Sequence, residues 1–121
     1  MPKYFVEKDE YCEIWRNEKG QIHREDGPAI IYFGGFKEWW VNGKRHREDG
    51  PAVIYPNGTQ YWYINGQLHR EDGPAITNSS GGQYWYINGK ELTEQEFNDR
   101  NKSLDGKEIT IDGITYTLKR K

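Results

Sequence analysis

The chain predicts a mostly β fold, a meander of stacked β-hairpins with one short C-terminal helix and a terminal hairpin. Three observations predict it. The stretch His-Arg-Glu-Asp-Gly-Pro-Ala occurs three times unchanged, at His23–Ala29, His46–Ala52 and His69–Ala75, each copy starting 23 residues after the last. An aromatic segment ending in Asn-Gly recurs on the same period, at Trp39–Gly43, Trp62–Gly66 and Trp85–Gly89. Between these lie short runs of β-branched and aromatic residues punctuated by Gly-rich turns. A fixed period of this size means stacked copies of one supersecondary unit, and such short, well-marked segments read as strands and turns.

Taken in order, residues 4–16 read as a hairpin or a pair of short strands, Tyr4-Phe5-Val6 and Tyr11-Cys12-Glu13-Ile14-Trp15 around a charged turn at Lys8-Asp9-Glu10. It leads into Gly20-Gln21-Ile22, a degenerate repeat start of the kind that caps an open sheet. Each unit then has two strands. One follows the heptapeptide (Ala29–Tyr32, Ala52–Tyr55, Ala75–Asn78), and the other is the aromatic segment. Gly34-Gly35, Pro56-Asn57-Gly58 and Gly81-Gly82 turn the chain between them, and Asn-Gly closes each unit because both residues tolerate positive φ. Thr93-Glu94-Gln95-Glu96 has the form of a capping box, so a short helix is expected over about 93–101 with Phe97 as its anchor. Residues 108–111 and 114–118 flank Asp112-Gly113 as a last hairpin, and 119–121 read as solvated. The expectation is one domain: capping strands over 1–22, repeats over 23–91, and a capping helix and hairpin over 92–121.

Alternation assigns faces. Trp39, Val41, Trp62, Ile64, Trp85 and Ile87 point one way, and Glu38, Trp40, Tyr61, Tyr63, Tyr84 and Tyr86 the other. The purely apolar Trp/Ile side is expected to be the packed face and the Tyr side a half-wet surface. In the heptapeptide, Asp26, Asp49 and Asp72 are expected to accept backbone N–H bonds and Gly27, Gly50 and Gly73 to take strained φ. Pro28, Pro51 and Pro74 fix the entry to the next strand, and Arg and Glu of neighbouring repeats pair. That reading is structural. A catalytic one needs a single converging constellation, whereas three identical copies stand in ladders roughly 10 Å apart at two strands per unit. The same spacing keeps His23, His46 and His69 from sharing one zinc, so no metal or cofactor is expected.

Only 34% of residues are apolar while 15% are aromatic, so a thin sheet glued by aromatics is expected. The formal charge of −2 argues against general nucleic-acid binding. With Cys12 the only cysteine, no intrachain disulfide is available. The N-terminus carries no long apolar run, so no membrane insertion is expected and the cytoplasm is the expected compartment.

The segments Asn42-Gly43-Lys44-Arg45-His46, Tyr55-Pro56-Asn57-Gly58-Thr59, Tyr61-Trp62 and Asn65-Gly66 resemble MORN (membrane occupation and recognition nexus) repeats, whose period is also 23 residues. The resemblance covers roughly residues 13–91. It departs from the family where Arg-Glu-Asp-Gly-Pro-Ala replaces a short Gly-x-Gly after the His, and the aromatic strand is correspondingly shorter. Repeats of this variant resemble those of bacterial, phage and large-virus proteins, some antitoxin-like. The resemblance implies a scaffold, a protein-binding module or a lipid binder, and a phage- or virus-type inhibitor of a host toxin or defence factor working in the host cytoplasm.

The aromatic face supplies the site. Trp40, Tyr61, Tyr63, Tyr84 and Tyr86, with Arg45, Arg47 and Arg70 near them, are expected to form a stacking-plus-cation surface. The leading expectation is a non-enzymatic protein that engages a protein partner there. The alternatives are a sequestrator of a small anionic nucleotide, a membrane- or lipid-associated scaffold, and a hydrolase built on His, Glu and Asp. Open sheet edges also offer a route to homo-oligomers.

Overall fold

A computed structural model describes residues 3–100 and 108–117. The chain forms two compact units, Met1–Glu91 and Leu92–Lys121. Among the described residues it is mostly β, a long antiparallel hairpin meander with one short helix and a C-terminal hairpin.

The first hairpin is β1 (Phe5–Lys8) and β2 (Cys12–Arg16), turned by Asp9, whose carboxylate accepts the backbone N–H groups of Tyr11 and Cys12. The first full unit contains β3 (Ile30–Tyr32), β4 (Lys37–Glu38), β5 (Trp40–Val41) and β6 (Lys44–Arg45). The second repeats it as β7 (Val53–Ile54), β8 (Gln60–Tyr61), β9 (Tyr63–Ile64) and β10 (Gln67–Leu68). The third contains β11 (Ile76–Thr77), β12 (Gln83–Ile87) and β13 (Lys90–Leu92). Nine of these strands make one sheet in the order β1-β2-β3-β4-β7-β8-β11-β12-β13, while β5–β6 and β9–β10 form separate two-stranded ladders. The aromatic segment expected as one strand is therefore split in the first two units, at Trp39 and Trp62, and continuous only in the third.

Turn chemistry explains the hairpins. At Asn42-Gly43, Asn65-Gly66 and Asn88-Gly89 both residues have positive φ, +49° to +50° for Asn and +79° to +81° for Gly, the two-residue loop whose twist matches that of the flanking strands. Each Asn N–H donates to the Nδ1 of the heptapeptide His 19 residues earlier, so His23, His46 and His69 carry their hydrogen on Nε2. Successive hairpins are tied side by side by Gly43 N–H to Ile22 O, Gly66 N–H to Arg45 O and Gly89 N–H to Leu68 O, at 2.8–2.9 Å.

The sheet has two unlike faces. Cross-strand partners align Ile14, Ile30, Glu38, Val53, Tyr61, Ile76 and Tyr84 on one side. One step along the same registers, the row on the opposite side is Trp15, Ala29, Trp39, Ala52, Trp62, Ala75 and Trp85. Backbone bonds from Trp15, Trp39 and Trp62 to Ala29, Ala52 and Ala75 hold this row together. Each alanine is fully buried because a tryptophan stands on either side of it. Large and small side chains interdigitate, and that is why the heptapeptide ends in Ala.

The heptapeptide is a lock on this row. The guanidiniums of Arg24, Arg47 and Arg70 lie over the rings of Trp15, Trp39 and Trp62 at 3.7, 4.0 and 3.8 Å. Nε donates to Asp26, Asp49 and Asp72, and Nη1 to the carbonyls of Pro28, Pro51 and Pro74. Three expectations are corrected here. The aspartates, expected to be held by backbone N–H groups, have the Arg of their own heptapeptide as charged partner. Gly27, Gly50 and Gly73 are absent from the positive-φ residues; they are glycine because a Cβ would stand 3.2, 2.8 and 3.1 Å from the guanidinium carbon. The Trp side is also not the only packed face: Ile30 and Val53, 8% and 2% exposed, lie on the tyrosine side.

The compact unit Leu92–Lys121 holds α1 (Glu94–Asp99), started by Thr93 and Glu96 as a complete capping box and carrying buried Phe97. The hairpin of β14 (Glu108–Ile111) and β15 (Ile114–Thr117) turns at Asp112-Gly113, with φ of +52° and +79°. Residues 118–121 lie outside the described residues.

Candidate functional site

The sheet's tyrosine side is the candidate interface. From Ile30, Glu38, Val53 and Tyr61 the alternation carries to Tyr32, Phe36 and Tyr55, and the rings form an unbroken chain. Tyr32–Phe36, Phe36–Tyr55 and Tyr55–Tyr61 have centroids 5.5, 4.8 and 5.8 Å apart at tilts of 56°, 56° and 85°. These are the tilted and edge-on geometries that aromatic quadrupoles favour. Tyr32, Tyr55 and Tyr84 are 44%, 37% and 43% exposed. An aromatic band on a single sheet layer is therefore open to solvent.

Next to it the Asn-Gly hairpins bring Trp40 and Tyr63 around Arg45. The guanidinium lies 5.3 Å from the Trp40 ring and 5.5 Å from the Tyr63 ring, and Nε donates to Glu38 Oε1 at 2.7 Å. Trp40 Nε1 donates to the same oxygen at 3.3 Å. Glu38 is buried, and Arg45 gives it the partner that a buried carboxylate needs. Burial works against the Arg45 charge, but the Glu38 carboxylate and Tyr63 outweigh it and raise its pKa. At the other end of the band the Tyr86 hydroxyl donates to Glu91 at 3.5 Å. Burial raises its pKa, and the charge of Glu91 and the neighbouring Tyr63 and Tyr84 add to the effect.

Of the residues expected at this site, Trp40, Tyr61, Tyr63, Tyr84 and Tyr86 belong to the tyrosine side. The structure does not bring Arg47 and Arg70 to them. Their guanidiniums are spent on Trp39 and Trp62 and on Asp49 and Asp72, on the opposite side. Sequence reasoning missed Tyr32, Phe36 and Tyr55 as members of the band. The signal was present: each stands two residues from a buried residue of the same strand or turn, and Tyr32 and Tyr55 are one period apart.

The tryptophan side carries clefts between successive heptapeptides. One of ≈ 700 Å³ lies between the first two, floored by Trp39 and Val41, and one of ≈ 470 Å³ between the second and third, floored by Trp62 and Ile64. In the first two copies His Nε2 stands 3.6 and 3.7 Å from its own Glu25 or Glu48 carboxylate. This is a local arrangement that recurs with the heptapeptide. A hydrolase would need a single centre where such groups converge. Among the described residues no group of three or more His, Cys, Asp and Glu is placed to hold a metal ion, and no helix is long and apolar enough to cross a membrane.

No family model, curated protein or solved structure matches this chain.

Proposed function

We propose that this chain is a non-enzymatic binding module that engages a protein partner through its tyrosine side. The observation that carries the reading is the open band Tyr32–Phe36–Tyr55–Tyr61 continued by Tyr84. Exposed contiguous aromatic surface of this kind marks interaction sites, and Tyr and Trp anchor them at low entropic cost.

Comparison among the repeats supports it. On the tryptophan side the three heptapeptides are identical and every residue in them is spoken for by a neighbour. On the tyrosine side equivalent positions differ: Glu38, Tyr61 and Tyr84; Trp40, Tyr63 and Tyr86; Arg45, Leu68 and Glu91. The first side builds the scaffold and the second individualises it. An anionic nucleotide is the weaker reading, because the cation nearest the tyrosines, Arg45, is already neutralised by Glu38. The resemblance to MORN repeats adds the proposal that the partner is a host toxin or defence factor, met in the cytoplasm and inhibited by occupation.

Native mass spectrometry of the tagged protein, gently captured from a lysate of its natural host, tests the reading. The expected result is a complex with a whole protein, weakened by Tyr63→Ala and Tyr86→Ala. An added mass of a few hundred daltons, lost on denaturation, overturns it in favour of a small ligand.

A further inference from the structure

Resting on that reading, we propose the partner's recognition element: a proline-rich segment in the polyproline II conformation, laid across the strands with a basic residue at Glu91. Trp40, Tyr63 and Tyr86 occupy the same position in three successive units. Each unit adds two strands to the sheet, so these rings recur at about 9.5 Å, twice the interstrand spacing. The hairpins that carry them keep step with the sheet through Gly66 N–H to Arg45 O and Gly89 N–H to Leu68 O. A polyproline II helix has three residues per turn and rises 3.1 Å per residue, about 9.3 Å per turn. Residues i, i+3 and i+6 of such a segment therefore meet Trp40, Tyr63 and Tyr86 in turn. An α-helix, with a pitch of about 5.4 Å, does not keep this step.

The chemistry agrees with the spacing. Tyr61 and Tyr84 stand two residues before Tyr63 and Tyr86, so the second and third units each present a pair of tyrosines on one side, a slot for a proline ring. Polyproline II leaves its carbonyls without internal partners, and the hydroxyls of Tyr61, Tyr63 and Tyr84 supply donors, that of Tyr86 being given to Glu91. Aromatic-lined grooves are a recurring solution for this ligand. Charge sets the direction. At the Trp40 end Arg45 and Glu38 cancel, whereas at the Tyr86 end Glu91 accepts a long bond from the Tyr86 hydroxyl and, among the described residues, no ion pair offsets its charge. A cation on the segment is complementary to that end alone.

The test is selection of a random twelve-residue peptide display library on the whole protein, with counter-selection on the Tyr63→Ala/Tyr86→Ala double variant. Binders with prolines at three-residue spacing and a Lys or Arg at one end are expected. A fluorescein-labelled peptide of three Pro-Pro-Ala units ending in Lys should bind with a Kd at least about tenfold below that of its Gly-for-Pro counterpart, the margin one well-seated contact provides. Glu91→Gln should weaken the Lys-ended peptide and leave a Gln-ended one unchanged. Because the double variant is informative only if folded, the same peptide is also titrated into the isotope-labelled wild-type protein, where amide shifts should concentrate at Tyr63, Tyr84 and Tyr86. Binders that depend on the tyrosines but lack the proline spacing overturn this inference and leave the protein-binding reading standing. Absence of any tyrosine-dependent binder overturns this inference, while the protein-binding reading falls only if the lysate capture yields no whole protein.

Discussion

Arg47 shows how much of this protein is settled inside seven residues. Its guanidinium stacks on Trp39 at 4.0 Å, donates to Asp49 and to the Pro51 carbonyl, and fills the space where Gly50 would carry a Cβ. Since an arginine is flexible, Gly50→Ala would push it aside, and the loss is whatever the guanidinium leaves behind. A partly desolvated cation–π contact with two hydrogen bonds suggests about 1–2 kcal/mol. Arg47→Ala should cost a similar amount, and Gly50→Ala added to Arg47→Ala should cost almost nothing further. Denaturant titration of the four-member cycle checks this; additive losses would mean that Gly50 matters for its backbone. The aspartates give a second prediction. Hydrogen bonds from Arg24 and Arg70 hold Asp26 and Asp72 below their ordinary carboxylate pKa. With the folded pKa depressed, their stabilisation is complete above the unfolded value of about 3.9 and is lost as pH falls through the folded one. Stability should thus show no contribution to pH dependence from these groups near neutrality and an acid loss below about pH 4, which Asp72→Asn should flatten in thermal melts taken across that range. The heptapeptide reads as a structural motif because three copies in ladders do not converge on one centre. Its internal wiring was not legible. Gly before Pro reads as a turn glycine, and nothing local in the sequence says that an arginine three residues earlier folds back over a tryptophan.

Strands and turns were the most legible level, since Asn-Gly, Asp-Gly and the capping box are each set by local sterics or local hydrogen bonds. Gly58 isolates that effect. It has φ of +94° with no atom within 4 Å of a built Cβ, so Gly58→Ala meets backbone strain and no clash. A loss of about 1 kcal/mol in urea unfolding is expected, and a neutral result would show that the turn relaxes to another type. The break of the aromatic segment at Trp39 and Trp62 escaped the sequence reading because a period of two runs through it without interruption. The choice of a single packed face was incomplete for a related reason. Alternation separates two faces but does not rank them, and arginines that cover the tryptophans made the apparently apolar side half polar.

At the scale of the molecule, stability rests on contacts between neighbouring units, as in other repeat arrays. Removing residues 46–68 deletes one period and joins Arg45 to His69. β4 would then meet β11, with Glu38 facing Ile76 where it now faces Val53, and Trp39 facing Ala75 where it now faces Ala52. Gly89 N–H would find the Arg45 carbonyl that now serves Gly66. Each severed contact is replaced by one of the same kind, so the shortened chain should fold cooperatively. Its denaturant slope should be smaller, because less surface is exposed on unfolding, and its midpoint lower; a chain with one added copy of 46–68 should shift both the other way. Circular dichroism with denaturant checks the series, and a shortened chain that unfolds without a transition would show that the repeats are not interchangeable. The same deletion separates scaffold from function. It leaves the tryptophan–alanine row regular but cuts the tyrosine-side rungs from Trp40, Tyr63 and Tyr86 to Trp40 and Tyr86, so partner binding should fall far more than stability does.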